Sequence, residues 1–290
     1  MESNAKERGH KSMMDEQLKE VLAKYEKYMR KNEMTENTIK SYLWTATYFL
    51  DNYEKVTRAT VIDYKEYLMK TYKKPSTVNQ RLLALNHMLK YMHKGSFCVK
   101  TIRVQRRNFI DNVISNRDYQ RLIRGLKRDG RMKWYMIVRT LICTASRVSE
   151  LVNMQVEDAI EGYVDIYSKG TMRRIYFPRA LQNELLEWLQ EEERSEGPLF
   201  LNKNGVRISV NGIETMLKKY AREYGIDEKA VHPHSFRHRY AINFLEKNKS
   251  PNQLVELSDI MGHKDINVTR LYTRRTASEQ YELICKTVVW

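Results

Sequence analysis

The sequence predicts a mainly α-helical (α+β) protein of two domains with small β-hairpins. Three observations favour this fold class. Only 11 glycines and 5 prolines occur in 290 residues, so few positions interrupt a helix. Apolar residues recur at helical spacing through most of the chain, whereas Tyr163–Tyr167 and Met172–Phe177 are short runs rich in β-forming residues. The length is sufficient for two domains that each bury a core.

Residues 1–94 are predicted to form four amphipathic helices. The first covers Asp15–Asn32, the second begins at the N-cap Thr35, the third covers about Thr57–Tyr72, and the fourth follows Pro75 and its cap Ser76 and is stopped by Gly95. Their aromatic and methionine stripes are typical of a helical core rather than of a platform for stacking bases. We therefore predict a compact four-helix domain.

Residues 95–113 break the helical periodicity and are predicted to be a basic linker. The segment contains four basic residues, Lys100, Arg103, Arg106 and Arg107. This composition is typical of a linker that tracks DNA and also of a solvated tether between domains. A second domain over residues 114–290 then begins with a helix capped by Ser115 and Asp118. It includes a C-terminal tail, residues 276–290.

Two hairpins are predicted inside the second domain. The strands Tyr163–Tyr167 and Met172–Phe177 flank a turn with Lys169 at its tip. A second short hairpin is predicted around the turn at residues 202–205. The remainder of the domain is predicted to be helical.

The charge balance indicates a polyanionic partner. Lys and Arg number 51 against 36 Asp and Glu, which gives a net charge of +15 and a pI near 9.5. Nucleic acid is the first candidate, and a basic surface kept for solubility is the alternative.

The cysteines and the hydropathy favour a cytoplasmic protein with no membrane partner. The three cysteines lack metal-ligand spacing, and their odd number does not suggest a disulfide framework. The N-terminus has no apolar signal region, and no apolar run is long enough to span a bilayer.

An ordered set of polar residues in the second domain is suited to phosphoryl transfer. Arginines can neutralise phosphodiester oxygens, histidines can move protons, and a tyrosine can attack phosphorus. The set is Arg147, His234, Arg237, His263 and Tyr272. Gly262 is predicted to end a helix before His263, and Asn267 to cap a short helix that presents Tyr272.

Simpler interpretations exist for single members of this set. Arg147 and Glu150, three residues apart, are most often an ordinary surface ion pair. His234 and His238 have the four-residue spacing of a zinc helix, but the acid of a zinc peptidase is absent between them and Arg237 would place a positive charge beside the cation. We therefore predict no metal.

In this order the motifs resemble those of tyrosine recombinases of the phage-integrase and Xer type. Nearly the whole chain is covered, and the matching positions are Arg147 with Glu150, Lys169, His234-x-x-Arg237, Gly262-His263 and Tyr272. Ser168 stands where the family more often has glycine, and Thr144-Ala145-Ser146 where Thr-Gly-Leu is common. The resemblance implies an N-terminal SAM-like core-binding domain and a catalytic domain that close around DNA as a C-shaped clamp.

The resemblance also implies a site-specific recombinase that cleaves and rejoins DNA through a 3′-phosphotyrosine on Tyr272, without metal, ATP or another cofactor. Arg147 and Arg237 would bind the phosphate, Lys169 would protonate the 5′-oxygen, His234 would take the tyrosine proton and His263 would bond a phosphate oxygen. Further DNA contacts are expected from the basic linker residues Lys100, Arg103, Arg106 and Arg107, and from Arg173 and Arg239 in the second domain.

The expected partners are double-stranded DNA, three further copies in a homo-tetramer on paired sites, and accessory DNA-bending proteins. The apolar tail, with Tyr281 and Ile284, would dock on its own domain or on a neighbouring copy. We favour an integrase of a mobile element. The alternatives are a non-cutting DNA-binding regulator, a type IB topoisomerase-like enzyme and an unrelated helical nucleic-acid scaffold.

Overall fold

The computed structural model describes residues 2–104, 112–168, 171–263, 265–273, 281 and 284–287. Arg106, Arg107 and Lys169 lie outside the described residues, as do residues 276–280, 282–283 and 288–290 of the predicted tail. Contacts between Cα atoms divide the chain into two units, Met1–Arg106 and Arg107–Trp290, and each has its own hydrophobic core. Within the described ranges, none of the helices has the length and hydropathy that a membrane crossing needs.

The first unit contains four helices, as the apolar spacing predicts, but the first begins at Glu2 rather than at Asp15. They are α1 (Glu2–Lys31), α2 (Glu36–Asn52), α3 (Arg58–Thr71) and α4 (Pro75–Tyr91), and a 3₁₀ turn follows at Gly95–Phe97. Tyr25, Phe49 and Tyr64 are each at most 1% exposed. These aromatic side chains therefore belong to the core, as predicted.

The ends of α4 differ from the prediction. Its N-cap is Lys74 and Pro75 is its first residue, so Ser76 lies inside the helix. Proline is favoured at this position because the N–H that it lacks has no partner within the helix there. The helix ends at Tyr91, before Gly95, which instead begins the 3₁₀ turn. The predicted cap at Ser76 and stop at Gly95 are thus wrong.

Part of the predicted linker is held on the first unit by two asparagines of α4. The Asn86 amide donates to the Val99 carbonyl at 2.8 Å and accepts the Val99 N–H at 3.0 Å. The Asn79 amide contacts both backbone groups of Ile102 in the same way, at 2.9 and 2.7 Å. The chain therefore follows α4 as far as Ile102 and leaves Lys100 and Arg103 exposed.

The second unit is mostly helical, with one two-stranded antiparallel sheet. Its elements are α5 (Asn116–Arg128), α6 (Met132–Thr144), α7 (Val148–Leu151), α8 (Val156–Glu161), β1 (Tyr163–Ser168), β2 (Thr171–Tyr176), α9 (Arg179–Glu191), α10 (Val210–Glu223), α11 (Pro233–Lys247), α12 (Gln253–Met261), α13 (Ile266–Thr269) and a 3₁₀ turn (Arg270–Thr273). Ser115 caps α5 by accepting the Asp118 N–H, as predicted.

The sheet and helix α6 are next to motifs that the sequence analysis singles out. Strands β1 and β2 pair in register from Tyr163 opposite Tyr176 to Ser168 opposite Thr171, which confirms the first hairpin. The second is reduced to a single bridge between Leu201 and Arg207. Eight residues of α6 are buried, so this helix is central to the core against which the other elements pack.

Candidate active site

Arg147 lies at a sharp break between two helices. Helix α6 ends at Thr144, and Ala145 adopts left-handed backbone angles with φ 51°. The Thr144 hydroxyl accepts the Ser146 N–H, which fixes the turn. Arg147 then caps α7 and keeps 43% of its side chain exposed. Its guanidinium is therefore accessible to an anion from solvent.

Glu150 orients Arg147 through two contacts. Its Oε2 accepts the Arg147 backbone N–H at 2.7 Å, and its Oε1 accepts an N–H of Arg147 Nη1 at 2.8 Å. Burial raises the pKa of Glu150, but the Arg147 N–H and the Arg173 and Arg147 guanidiniums outweigh it, so the pKa lies below its ordinary value. Glu150 is thus a carboxylate at neutral pH.

Arg173 links the hairpin to the end of α12. Its Nη2 donates to Glu150 Oε2 at 2.6 Å, and its Nη1 donates to the Ile260 carbonyl at 2.8 Å. The side chain passes over Gly262, where an added Cβ would lie 2.3 Å from Arg173 Cδ. Only 12% of the Arg173 side chain is exposed, so the expected DNA contact does not match its placement. Its donors instead hold the site together.

Gly262 ends α12 as the sequence predicts. Its φ is 60°, a left-handed conformation that glycine adopts without strain. His263 follows directly, and its Nδ1 lies 2.8 Å from the hydroxyl of the buried Thr269. The cap of the next helix is Asp265, whose side chain accepts the Asn267 N–H, so the predicted cap at Asn267 is wrong.

Arg237 is buried at the centre of the cluster, with 2% exposure. Its guanidinium donates to the carbonyls of Ala145 and Met261, and Nη2 lies 3.2 Å from Nε2 of His263. Burial and repulsion from Arg147 and Arg173 lower the pKa of Arg237 to about 10, which leaves it cationic at neutral pH. One side chain thus connects the ends of α6 and α12 to α11.

The Tyr272 hydroxyl lies 2.9 Å from Nδ1 of His238. Tyr272 is only 6% exposed, in the 3₁₀ turn after α13. The His238 ring makes an edge contact with the ring of His234, with centroids 4.0 Å apart. The ring of His263 stacks on Tyr272 at 6.2 Å between centroids. His238 and His263 therefore flank the phenol, and His234 packs behind His238.

The phenol and its histidine partners are neutral in the free protein. Burial raises the pKa of Tyr272, although Arg237 and Arg147 act in the opposite direction. Burial, followed by repulsion from neighbouring imidazoles and arginines, lowers the pKa of His238 to about 3. Burial and the nearby arginines lower the pKa of His263 to about 4. At neutral pH, the Nδ1 atom of a neutral His238 accepts the Tyr272 hydroxyl hydrogen in the tautomer that carries its proton on Nε2.

The structure brings most of the expected site residues together. Arg147, Glu150, Arg237, His263 and Tyr272 form one cluster, and His234 joins it through the ring of His238. In the ranges that are described, no three His, Cys, Asp or Glu side chains are grouped to hold a metal ion.

Two of the sequence assignments differ from the structure. His234 was expected at the tyrosine proton, whereas His238 contacts the hydroxyl. The four-residue spacing indicates that both histidines share a helix face, but not which one meets a tyrosine 34 residues further on. Arg239 is 7% exposed and its Nε donates to the Ile114 carbonyl, so it ties α11 to the segment before α5 rather than lying open to DNA.

Comparison with known families decides the relationship. Residues 112–279 match the phage integrase family, and this range contains every member of the cluster. The chain belongs to this family. It is accordingly a tyrosine site-specific recombinase, an enzyme of DNA recombination.

Curated relatives extend the likeness beyond the matched range. The recombinase is 27% identical to tyrosine recombinase XerA of Pyrococcus furiosus over 276 residues, which covers 91% of this chain and 93% of the relative. It is 25% identical to tyrosine recombinase XerD of Oceanobacillus iheyensis, over 84% of this chain and 89% of the relative.

Solved structures share the fold. The Tn1549 transposon integrase in complex with transposon right-end DNA has a TM-score of 0.69 at 15% identity, over 93% of this chain and 99% of that one. A lambda integrase dimer bound to a core site has a TM-score of 0.68 at 13% identity, over 87% and 76% of the two chains.

Proposed function

We propose that this recombinase cleaves and rejoins DNA strands through a covalent 3′-phosphotyrosine on Tyr272. The observation that carries the proposal is the hydrogen bond between the Tyr272 hydroxyl and neutral His238, in the same cluster as Arg147 and Arg237. A phenol is a weak nucleophile until its proton has an acceptor. His238 is placed to be that acceptor once a DNA phosphate is bound, because an anion beside the cluster opposes the repulsion that lowers the pKa of His238 in the free protein.

The chemical step follows from these positions. The Tyr272 oxygen forms a bond to phosphorus, the bond from phosphorus to the 5′-oxygen breaks, and the phenol proton passes to His238 Nδ1. Arg147 and Arg237 stabilise the charge that develops on the non-bridging oxygens. The departing 5′-oxygen takes its proton from Lys169, a role assigned by family resemblance. Rejoining reverses the step with a 5′-hydroxyl from a partner strand.

Strand exchange requires four such sites on two duplexes. We therefore propose a homo-tetramer on paired DNA sites, with accessory DNA-bending proteins as further partners. In the tail, Tyr281 and Ile284 are 69% and 58% exposed, as expected for apolar residues that become buried against a neighbouring copy. Exposed Lys100 and Arg103 favour a further DNA contact beside the first unit.

An integrase of a mobile element is the outcome that we favour. The fold shared with the Tn1549 transposon integrase is compatible with this role. The second candidate is an Xer-type enzyme, because XerA and XerD match over most of both chains. Recombination between two plasmid-borne copies of the selected site, in direct and inverted orientation and with or without a host partner protein, discriminates between these outcomes.

The test of cleavage is covalent trapping on nicked DNA. A binding sequence is first selected from a library, and a duplex nicked near the cleavage position then prevents rejoining. Wild type should give a covalent protein–DNA band on a denaturing gel, and Tyr272→Phe should give none. Tyr281→Phe is the matched control, because Tyr281 is exposed and lies outside the cluster. Tight DNA binding without a covalent band in the wild type would favour a non-cutting regulator.

A further inference from the structure

Helix α5 carries a row of arginines that the proposed reaction does not use. Arg117, Arg121, Arg124 and Arg128 follow one another at spacings of four, three and four residues, so they share one face of the helix, and all four are exposed. They line a cavity of about 670 Å³ together with Gly125, Glu223 and Tyr224. None of these residues belongs to the Tyr272 cluster.

The floor of this cavity is formed by tightly packed groups. The Tyr224 ring lies so close to Gly125 that an added Cβ there would be 2.7 Å from the ring. The Tyr224 hydroxyl donates to Asp129 at 3.0 Å, and the ring stacks on Tyr220 with 6.3 Å between centroids. Fixed aromatic groups therefore set the shape of the cavity beneath the longer arginine side chains.

The cavity faces an excess of positive charge. The nearby acids are paired already: Glu223 with Arg131, Asp129 with Arg128 and Asp118 with Arg121. In the part of the chain that the structure describes, Arg117 makes no ion pair or hydrogen bond. Among the described residues, Arg124 donates only to the Gln120 carbonyl of its own helix. These two guanidiniums keep their donors available for a ligand.

The N-terminal part of the arginine row is unfavourable for α5 when nothing is bound, whereas Arg128, in the last turn, interacts favourably with the helix dipole. Arg117 lies in the first turn, where the helix dipole repels a cation. Arginines three and four residues apart also repel one another. An anionic ligand would remove both penalties, whereas a surface kept only for solubility would not need to concentrate its charge on one face.

We propose that the arginine face of α5 binds the sugar–phosphate backbone of duplex DNA at a position separate from the active site. From Arg117 to Arg128 the helix rises about 16 Å. One DNA strand presents about five phosphates over that length. A small anion would meet one or two of these arginines, so the row suits a ligand with repeated charges, and guanidiniums match phosphate oxygens in bidentate geometry. The choice of DNA rests on the recombinase function.

The test measures DNA affinity as a function of salt for the full-length protein. The variant Arg117→Gln/Arg124→Gln keeps helix-forming side chains at exposed positions and removes the two charges whose donors are available for a ligand. On a duplex that extends past the selected site, the slope of log K against log salt should become shallower by about 1.8. Lys218→Gln/Lys229→Gln removes the same charge from exposed positions outside the cavity and should leave the slope unchanged.

The outcomes separate this proposal from its competitors. A shallower slope in the arginine variant alone supports it. Equal slopes in all three proteins, or an equal change in both variants, overturns it. If the slope of log K against log salt is unchanged but the variant loses self-association, the proposal is also overturned. The arginine face of α5 would then bind an acidic protein surface instead of DNA.

The proposed cleavage reaction is tested independently of this surface. The arginine variant should cleave nicked DNA at the wild-type rate when DNA is saturating, because the cavity and the Tyr272 cluster share no residue. Failure of the wild type to form a covalent complex would refute the proposed reaction and leave the salt comparison interpretable.

Discussion

Replacing Gly262 by alanine should damage the active site through Arg173. At φ 60° an alanine adopts a conformation that costs about 1–2 kcal/mol. Its Cβ would also lie 2.3 Å from Cδ and 2.6 Å from Nε of Arg173, so the arginine must move. That movement breaks the contacts of Arg173 with Glu150 and with the Ile260 carbonyl.

The size of the effect follows from the burial of this ion pair. The Arg173 and Glu150 side chains are 12% and 10% exposed. Breaking a fully buried pair costs about 3–5 kcal/mol, but Glu150 keeps Arg147, so we expect a loss of about 1–2 kcal/mol here. Together with the backbone cost, Gly262→Ala should destabilise the second unit by about 2–4 kcal/mol. Without Arg173, Glu150 is held less firmly, and the Arg147 guanidinium that it orients shifts with it, so cleavage should slow by about 10²-fold.

Gly225→Ala is the matched control. Gly225 has a similar φ of 64°, and an added Cβ there would have no neighbour within 4 Å. It should therefore show only the backbone cost and cleave at the wild-type rate. Amide hydrogen exchange of α11 and α12 measures local stability, and single-turnover cleavage of nicked DNA measures the chemistry. Equal losses of stability and rate in the two variants would refute the role assigned to Arg173.

Four further predictions concern the site and the first unit. His238→Phe should slow cleavage by at least about 10²-fold with DNA affinity retained; an unchanged rate would remove His238 from the mechanism. The pKa of His238 is about 3 in the folded protein and 6.5 in the unfolded chain, so protonation of the unfolded chain lowers the free energy of unfolding as pH falls from 6.5 towards 3. His238→Phe should therefore make the free energy of unfolding less dependent on pH in this range, as measured by acid titration. Arg147→Lys should reduce the cleavage rate by about 10²–10³-fold, because lysine lacks the planar donors of arginine. A rate within about threefold of wild type, which is a change in activation free energy on the order of RT, would contradict this. Asn86→Ala should destabilise the first unit by about 1–3 kcal/mol in denaturant, because it leaves backbone groups of Val99 without partners; Asn52→Ala, at an exposed amide, is the control and should change little.

The sequence predicted those features that depend on neighbouring residues. The Ser115 cap, the left-handed Gly262 and the first hairpin each follow from a few adjacent side chains. Local signals failed where neighbouring residues were alternative N-caps of one helix. The N-cap of α4 is Lys74, followed by Pro75, and not the predicted Ser76. The residue at which the backbone changes from extended to helical angles determines the N-cap, and this residue is Lys74.

Contacts between distant residues were harder to predict. His238 reaches Tyr272 only because α11 and the final 3₁₀ turn pack together, and neither segment carries that information alone. Arg173 and Arg239 were predicted to contact DNA because they are positively charged residues of a basic chain. Their carbonyl and carboxylate partners lie 23 to 125 residues away.

Peptide mapping of the covalent complex by mass spectrometry identifies the residue that attacks the DNA. The protein contains 19 tyrosines, so the identity of the nucleophile can be decided among many candidates. We predict a nucleotide attached through its 3′-phosphate to Tyr272. Attachment to another residue, or through a 5′-phosphate, would contradict it.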